Sequence, residues 1–357
     1  MASIKDVAKR AGVSGMTASR VINFSGAVSA RTRSLVSAAV KELDYRPNLT
    51  ARSLRSQRSN LFGLLLPDIQ NPVFAALAKH IEEEAQCLGY NVVLGNTWES
   101  PEREAQYLEL MLARQMDGII VAPVSPENDR LFSQCLVPVV VLDRTLSSDS
   151  PLRTVTVDNL QVGRLAARHF LSLGHRAFAC MPGPQNIALF ADRLLGFQEV
   201  VEAAGFSLEL VIGAPTVGEF AIGSEICASI VSQCRKRPLA LFCANDLTAI
   251  GAMREAQRRG LDVPGDLSII GVDDIPSARM TMPALTTIRQ PFPEIAAAGV
   301  RLLVEMLRDR GQRPKNIRLK PSLVVRESTA PVAAVGRSRP LAPLASPRLL
   351  RVLEAGD

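Results

Sequence analysis

The chain of 357 residues is short of histidine, of clustered cysteine and of long apolar runs. Its three histidines (His80, His169, His175) do not sit at metal-ligand spacing, and His175, in LGHR, reads as a structural residue at a helix end. The six cysteines (Cys87, Cys135, Cys180, Cys227, Cys234, Cys243) include no CxxC pair. That scatter suits neither a zinc site nor a disulfide framework, and in a reducing compartment it reads as small buried hydrophobes. No apolar run approaches the roughly 20 residues that span a bilayer, so no membrane partner is expected. The opening MASIKDVAKR lacks the apolar stretch of a secretory signal, which makes the cytoplasm the expected location. Also missing are a Walker loop, a GxGxxG after the first strand and a GxSxG nucleophile elbow. No catalytic residue, metal or cofactor is expected, and the chain reads as a non-enzyme. Its hydrophobic content of 47% still provides a large core, and its length allows two or three domains.

What is there begins at Ser3–Asn23, SIKDVAKRAGVSGMTASRVIN. Ser3 can cap a first helix in which Ile4, Val7, Ala8 and Ala11 recur at helical spacing. Gly12 can leave that helix through positive φ. Ser14 then caps a second helix with Ala18, Val21 and Ile22 inward and Gly15, Met16, Thr17, Ser19, Arg20 and Asn23 on or near the outer face. Two short helices with a tight turn make a helix-turn-helix, whose second helix lies in a DNA major groove. An ordinary helical hairpin with solvated charges is the alternative. The charge distribution weighs against it. Residues 1–59 hold eleven Lys or Arg and three acids, net +8, so against the +6 of the whole chain the remainder carries −2. A basic surplus on this segment is what phosphate neutralisation requires.

Ser29 can cap a third helix over Arg31–Leu43, with Leu35, Ala38, Ala39 and Leu43 inward. Arg46-Pro47 breaks it, and Asn48 can cap a short helix over Leu49–Arg55 before the chain is released. From Leu61 the texture changes. Near-continuous apolar strands (LFGLLLPD, NVVLGN, DGIIVAP, PVVVLD) alternate with helical stretches, and TVTVDN opens a second series through AFACMPG, LALFCAND and LSIIGVDD. Expected helices in that series include Leu160–Leu173, Arg193–Ala204 and Leu247–Arg259. After LTTIRQP, a helix over Pro293–Arg310 and a strand near residue 325 close the core. This pattern predicts an α/β core of two doubly wound parallel-sheet subdomains with a cleft between them. In such sheets ligands bind beyond the carboxyl ends of the strands. The polar strand ends Asp68, Asn96, Asp143, Asp158, Asn245-Asp246 and Asp273-Asp274 are the candidates, each with a turn-forming alternative.

IKDVAKRAGVS, ASRVIN, YRPN, ARSLR, LPDIQNPVFAAL, DGIIVAP, VDN, LGHR, CAND, LDVPGDLSIIGVDDIP and PALTTIRQP, in this order, resemble the LacI/GalR family of bacterial transcription regulators over about residues 3 to 330. The resemblance implies an all-α helix-turn-helix head at 1–45, a hinge helix and linker at 46–59, and a periplasmic-binding-protein-like core for effector binding and dimerisation at 60–330. Residues 331–357, rich in Pro and Arg, read as a disordered tail. The partners implied are double-stranded operator DNA, a second copy of the chain and a small effector, a sugar or related metabolite, with repression the family's usual mode. Carried over residue by residue, Met16 and Arg20 match base-reading positions, while Thr17, Ser19, Asn23, Ser29 and Thr32 match positions that touch phosphate or orient the head. Gly15 departs from the pattern because it has no side chain to read a base, which shifts the burden to Arg20. Leu54 matches the leucine that two subunits wedge into the central minor-groove step. Phe74, Asp143, Arg193, Asn245 and Asp273 match effector contacts. Ile187, Leu189 and Phe190 make the neighbouring loop apolar, and Trp98, the only tryptophan, lies past a strand end. Leucines at 341, 344, 349, 350 and 353 hint at a tetramerising helix, but Pro343 and Pro347 leave only about two turns, fewer than a coiled coil needs, so a dimer is expected. A sugar-binding carrier without DNA binding is the rival reading, and the basic head discriminates against it.

Overall fold

The computed structural model describes residues 2–22, 28–45, 58–145, 149–213, 220–309 and 316–332. The expected hinge helix, Asn23, Leu54 and the tail from residue 333 lie outside them. Three helices open the chain, α1 (Ile4–Ala11), α2 (Gly15–Ile22) and α3 (Ala30–Glu42). Ser3 and Asp6 close a reciprocal capping box on α1, with the Asp6 carboxylate accepting the Ser3 N–H at 2.8 Å. Gly12, at φ 67°, turns the chain out of the helix. Val7, Ala8, Ala11, Ala18, Val21, Val36 and Ala39 form the small core. The inward register of α3 differs from the expected one. Ala39 and Leu43 face inward as expected, but Leu35 is 48% exposed and Ala38 is exposed, because Val36 and Val40 take their places on the buried face.

The core proceeds through β1 (Leu61–Leu66), α4 (Pro72–Cys87), β2 (Asn91–Asn96), α5 (Pro101–Ala113), β3 (Gly118–Val121), α6 (Asp129–Ser133), β4 (Val139–Leu142) and β5 (Arg153–Val157). Then follow α7 (Asn159–Ser172), β6 (Ala177–Met181), α8 (Ala188–Ala203), β7 (Leu208–Val211), α9 (Phe220–Gln233), β8 (Leu239–Cys243) and α10 (Asp246–Arg258). The last elements are β9 (Leu267–Asp273), β10 (Thr286–Arg289), α11 (Phe292–Arg308), β11 (Ile317–Leu319) and β12 (Ser322–Val324). Two six-stranded sheets result, in the orders β11-β5-β4-β3-β1-β2 and β12-β10-β9-β8-β6-β7. All the paired strands are parallel except β12 on β10. Strands such as GIIV, VVVL, AFACM and LALFC are buried along their whole length, as strands covered by helices on both faces must be. Among the described residues no helix is long and apolar enough to cross a membrane.

Two expectations about strands change. TVTVDN does not open the second series. As β5 it pairs with β4 in the first sheet, where the Asp143 N–H donates to the Val155 carbonyl at 3.0 Å. The strand near residue 325 is β12, and it is preceded by β11, which extends the first sheet beside β5. The chain therefore crosses between subdomains three times, between Val157 and Asn159, between Arg289 and Phe292, and between Leu319 and Ser322. The second crossing sends α11 back onto α4 and strands β3 to β5 of the first subdomain. In the second, α7 and α8 touch backbone to backbone. A Cβ on Gly163 would run into the Arg193 carbonyl, and one on Gly196 into that of Leu160. This contact fixes where α8 presents Arg193.

Candidate functional site

The head presents the outer face of α2. Ala18 and Val21 are buried beneath it, whereas Met16 is 67% exposed and Arg20 is exposed beside it. Ser14 caps the helix by accepting the Thr17 N–H at 3.1 Å, and the two hydroxyls lie 2.9 Å apart. Ser29 and Thr32 repeat that arrangement at α3, with an N–H bond of 3.2 Å and a hydroxyl contact of 2.9 Å. Of the polar positions named from sequence, Ser29 is thus a helix cap and Thr17 and Thr32 are bonded by the caps Ser14 and Ser29, which holds their hydroxyls in fixed positions at the two N-termini. Ser19 is half-buried. A Cβ at Gly15 would meet nothing within 4 Å, so the packing of the head does not demand glycine there. The linker enters the core at a defined point. The Asp117 carboxylate accepts the N–H groups of Ser59 and Asn60 at 2.8 and 3.0 Å, and the Ser59 hydroxyl at 3.0 Å.

At the facing carboxyl ends of the two sheets, the strand-end residues divide into two kinds. Asp68, Asn96 and Asp158 are turn and cap formers: their side chains accept the N–H groups of Gln70, Ile69 and Gln161 at 3.0, 3.3 and 3.1 Å. Asp246 and Asp274 are engaged outside the lining, Asp274 by accepting Arg289 Nε at 2.7 Å, and the rest converge. Phe74, Asp143, Arg193, Asn245 and Asp273, the five candidates from sequence, all line one cleft, together with Asn71, Arg144, Leu189, Phe190 and Gln290. The first subdomain supplies Asn71, Phe74, Asp143 and Arg144, and the second the rest. The space between these walls is only ≈ 30 Å³, room for little more than a water molecule. A molecule the size of a sugar needs the walls to part, and the three crossings are where the chain can bend.

Arg193 organises the second wall. It is 3% exposed, its Nε donates to Asn159 Oδ1 at 2.9 Å and its Nη1 to the Ala244 carbonyl at 2.6 Å, and its guanidinium lies 5.4 Å from the Phe190 ring centre. Burial pulls its pKa down, and the charges of Asp273, Asp143 and Asp246 pull it back up. Asp273, at φ 118°, ends β9 in a backbone conformation that L residues rarely adopt, and Gln290 Nε2 donates to its Oδ1 at 2.7 Å. Burial pushes the Asp273 carboxyl up to about 7 despite the opposing pull of Arg193 and that hydrogen bond. Asp143, also at positive φ (63°), has its pKa raised by burial and lowered by Arg144 and Arg193. Asn245 combines two tasks, since its Oδ1 caps α10 by accepting the Thr248 N–H at 2.9 Å while the residue lines the cleft. Asp246 is occupied elsewhere. It accepts the Thr287 hydroxyl at 2.6 Å and the Ile275 N–H at 2.9 Å, and burial holds its carboxyl well above the usual range.

Sequence reasoning missed Asn71, Arg144 and Gln290. The strand-end rule itself reaches Gln290, one residue past β10, and Arg144 directly follows a residue it selected. Trp98 is not in the cleft; it is 64% exposed under the Arg103 guanidinium, 5.3 Å away. His175 is a buried packing residue, edge-on to Phe170 with ring centres 5.5 Å apart.

The profile of bacterial regulatory proteins of the lacI family matches residues 3–48, and that of the periplasmic binding protein-like domain matches residues 167–329. The ribose operon repressor of Halalkalibacterium halodurans is 37% identical over 330 residues, covering 92% of this chain and 97% of that protein. The HTH-type transcriptional regulator DegA of Bacillus subtilis is 36% identical over 337 residues, covering 92% and 98%. Among solved structures, the lac repressor dimer bound to operator and the anti-inducer ONPF superposes with a TM-score of 0.81 at 28% identity, over 92% of this chain and 99% of that one. With a helix-turn-helix head and two doubly wound subdomains facing across a polar cleft, the chain belongs to the LacI family of bacterial transcription regulators.

Proposed function

We propose that the protein is an effector-responsive repressor that binds a pseudo-palindromic operator as a homodimer, and that a small sugar or related metabolite in the cleft sets its DNA affinity. The observation that carries this reading is that one chain joins an exposed, basic helix-turn-helix to a cleft whose two walls belong to different subdomains. Met16 and Arg20 read bases from α2. Thr17, Ser19, Asn23, Ser29 and Thr32 hold the phosphates on either side, and Leu54 enters the minor groove between the two heads. In the cleft, Arg193, Asp273, Asp143 and Asn245 bond the hydroxyls of the effector, while Phe74 supplies an apolar face. Asn71, Arg144 and Gln290 complete the lining. An effector that fits only when the walls stand at one separation shifts the population of closure states, and the three crossings transmit that shift to the linker anchored on Asp117. Its work is recognition, without catalysis, in the cytoplasm at the nucleoid.

The test is a gel shift with DNA from upstream of the protein's own gene, with and without candidate sugars. A retarded complex whose stability changes with one sugar supports the reading. A protein that binds sugar and leaves DNA unretarded at low salt is a carrier, and the reading fails.

A further inference from the structure

One ion pair on the cleft wall has no role in the scheme above. Arg144 is only 4% exposed, and its two terminal nitrogens donate to both carboxylate oxygens of Glu99, at 2.6 and 2.7 Å. Its guanidinium also lies 5.6 Å from the ring centre of Phe74, so Arg144 forms part of the surface an effector meets, with Glu99 paired to it from outside the lining. Glu99 is held for this contact by an uncommon backbone. Trp98 and Glu99 are consecutive residues at positive φ (59° and 56°), tied down by the Glu99 N–H on the Pro67 carbonyl at 3.1 Å.

Charge bookkeeping in the cleft then becomes decisive. The charges that Asp143, Arg193 and Asp273 feel are each other, Arg144, Glu99 and Asp246. Asp246 lies outside the lining, with both carboxylate oxygens engaged by Ile275 and Thr287, and burial disfavours its charge. Arg193 stands against two carboxylates, Asp143 and Asp273. Arg144 is the only other cation lining the cleft among the described residues, and Glu99 cancels it in a closed two-pronged pair. With Asp143 and Asp273 both ionised the lining and Glu99 together carry one net negative charge, and a proton taken up by Asp273 brings it to zero; in either state the Glu99–Arg144 pair is itself neutral. The polar groups left for a ligand are of mixed kind. Among the described residues the Gln290 Oε1 is buried without a partner, and no side-chain hydrogen bond shifts Asp143. Such a lining suits hydroxyls, which donate and accept at once, and an anion entering it has no uncancelled cation to meet.

Building on the effector-cleft reading above, we propose that the effector is an uncharged, hydroxyl-rich molecule, and that Glu99 is the specificity residue that excludes anionic metabolites, by keeping Arg144 neutralised on the cleft wall. Exclusion of this kind comes from an unfavourable charge built against the wrong ligand, in addition to good contacts with the right one. Removing the Glu99 charge uncovers Arg144 and makes the cleft more positive by one unit, with a guanidinium in the lining.

The experiment is isothermal titration of the full-length protein with matched sets of sugars: ribose, glucose, galactose and xylose as neutral forms, the corresponding aldonic acids, and the terminal phosphates. The wild type is expected to bind a neutral sugar at least about tenfold more tightly than its acid or phosphate. In Glu99→Gln, which retains one hydrogen-bond acceptor for Arg144, that gap narrows about tenfold or reverses. The double variant Glu99→Gln/Arg144→Gln, in which both charges are gone, returns to the wild-type preference; this comparison stands even if the single variant folds poorly. A wild type that prefers an acid or phosphate overturns the proposal while leaving the effector cleft intact. An unchanged gap in Glu99→Gln, or a double variant that keeps the altered preference, removes Glu99 as the cause. If no sugar, acid or phosphate binds any of the three proteins, the effector-cleft reading itself fails, and the proposal with it.

Discussion

Replacing Asp273 with Asn should make the protein more stable at alkaline pH and less able to hold its effector. The buried Asp273 carboxyl titrates near 7 in the fold, against 3.8 for an ordinary aspartate. Between those two values the native state holds a proton that the unfolded chain has released. Stability therefore falls as pH rises through this window, and the whole cost is present above pH 7. Three pH units at about 1.4 kcal/mol each set that cost at about 4 kcal/mol. Asparagine imitates the protonated form, and it can still accept the Gln290 amide that now reaches Oδ1 at 2.7 Å. Wild type and variant should be similar near pH 4. Between pH 5 and pH 8 the variant should gain about 3 kcal/mol on the wild type. The raised carboxyl of Asp246 owes part of its shift to the Asp273 charge, so the variant relieves Asp246 as well and the difference reports the two carboxyls together. Urea unfolding at pH 5, 6, 7 and 8, at one fixed protomer concentration, measures it. Parallel stability profiles for the two proteins, or a variant that is weaker at pH 8, would refute the assignment of a buried, reluctantly ionised carboxylate. The same substitution should weaken effector binding by about 1.5–3 kcal/mol, the worth of a hydrogen bond to a charged acceptor. Function here is bought with stability.

Three further outcomes follow from other parts of the molecule. Arg20→Ala, on the exposed face of α2, should lower discrimination between operator and mutated operator by about 1–3 kcal/mol in a binding titration while leaving the melting temperature unchanged. Equal discrimination would move base reading elsewhere. Gly163→Ala should cost about 2–3 kcal/mol, because its methyl meets the Arg193 carbonyl, and should weaken effector binding by displacing Arg193; calorimetric melting and ligand titration check both effects. Trp98, the only tryptophan, adjoins Glu99, the partner of the lining residue Arg144, so its emission should shift when the effector binds, and a flat titration at saturating effector argues that this segment does not move.

Much of this was legible in the sequence, and the exceptions have physical causes. Periodicity finds an element well when one face decides its burial, as in α1, where Val7, Ala8 and Ala11 sit at helical spacing. In α3 a ladder of small residues, Ala38 and Ala39, allows two neighbouring registers, and the packing of α1 against it selects the one through Val36. The sheet to which a strand belongs is a non-local property. TVTV carries no sign that it pairs with VVVL, and the turn at Asp143, held by Val155, is visible only after folding. Likewise Ile187–Phe190 reads as an apolar loop, yet Ala188 to Phe190 form the first turn of α8, with Leu189 and Phe190 packed under Ala244. The converging strand-end carboxylates were legible because the α/β topology prescribes where ligands meet such sheets. Glu99 was not. It belongs to no strand end, and its importance comes from an ion pair that spans 45 positions in sequence.

The central claim is that the head's grip on DNA depends on what occupies the cleft. Fluorescence anisotropy of labelled upstream DNA measures it directly, titrated with the protein in the presence and absence of the sugar that most raises its melting temperature. The account predicts a change in DNA affinity between about 5-fold and 150-fold on adding that sugar. It also predicts that Arg193→Met, which removes the cation between Asp143 and Asp273, binds DNA with an affinity that no longer responds. Identical DNA affinity with and without a saturating, demonstrably bound sugar would contradict it.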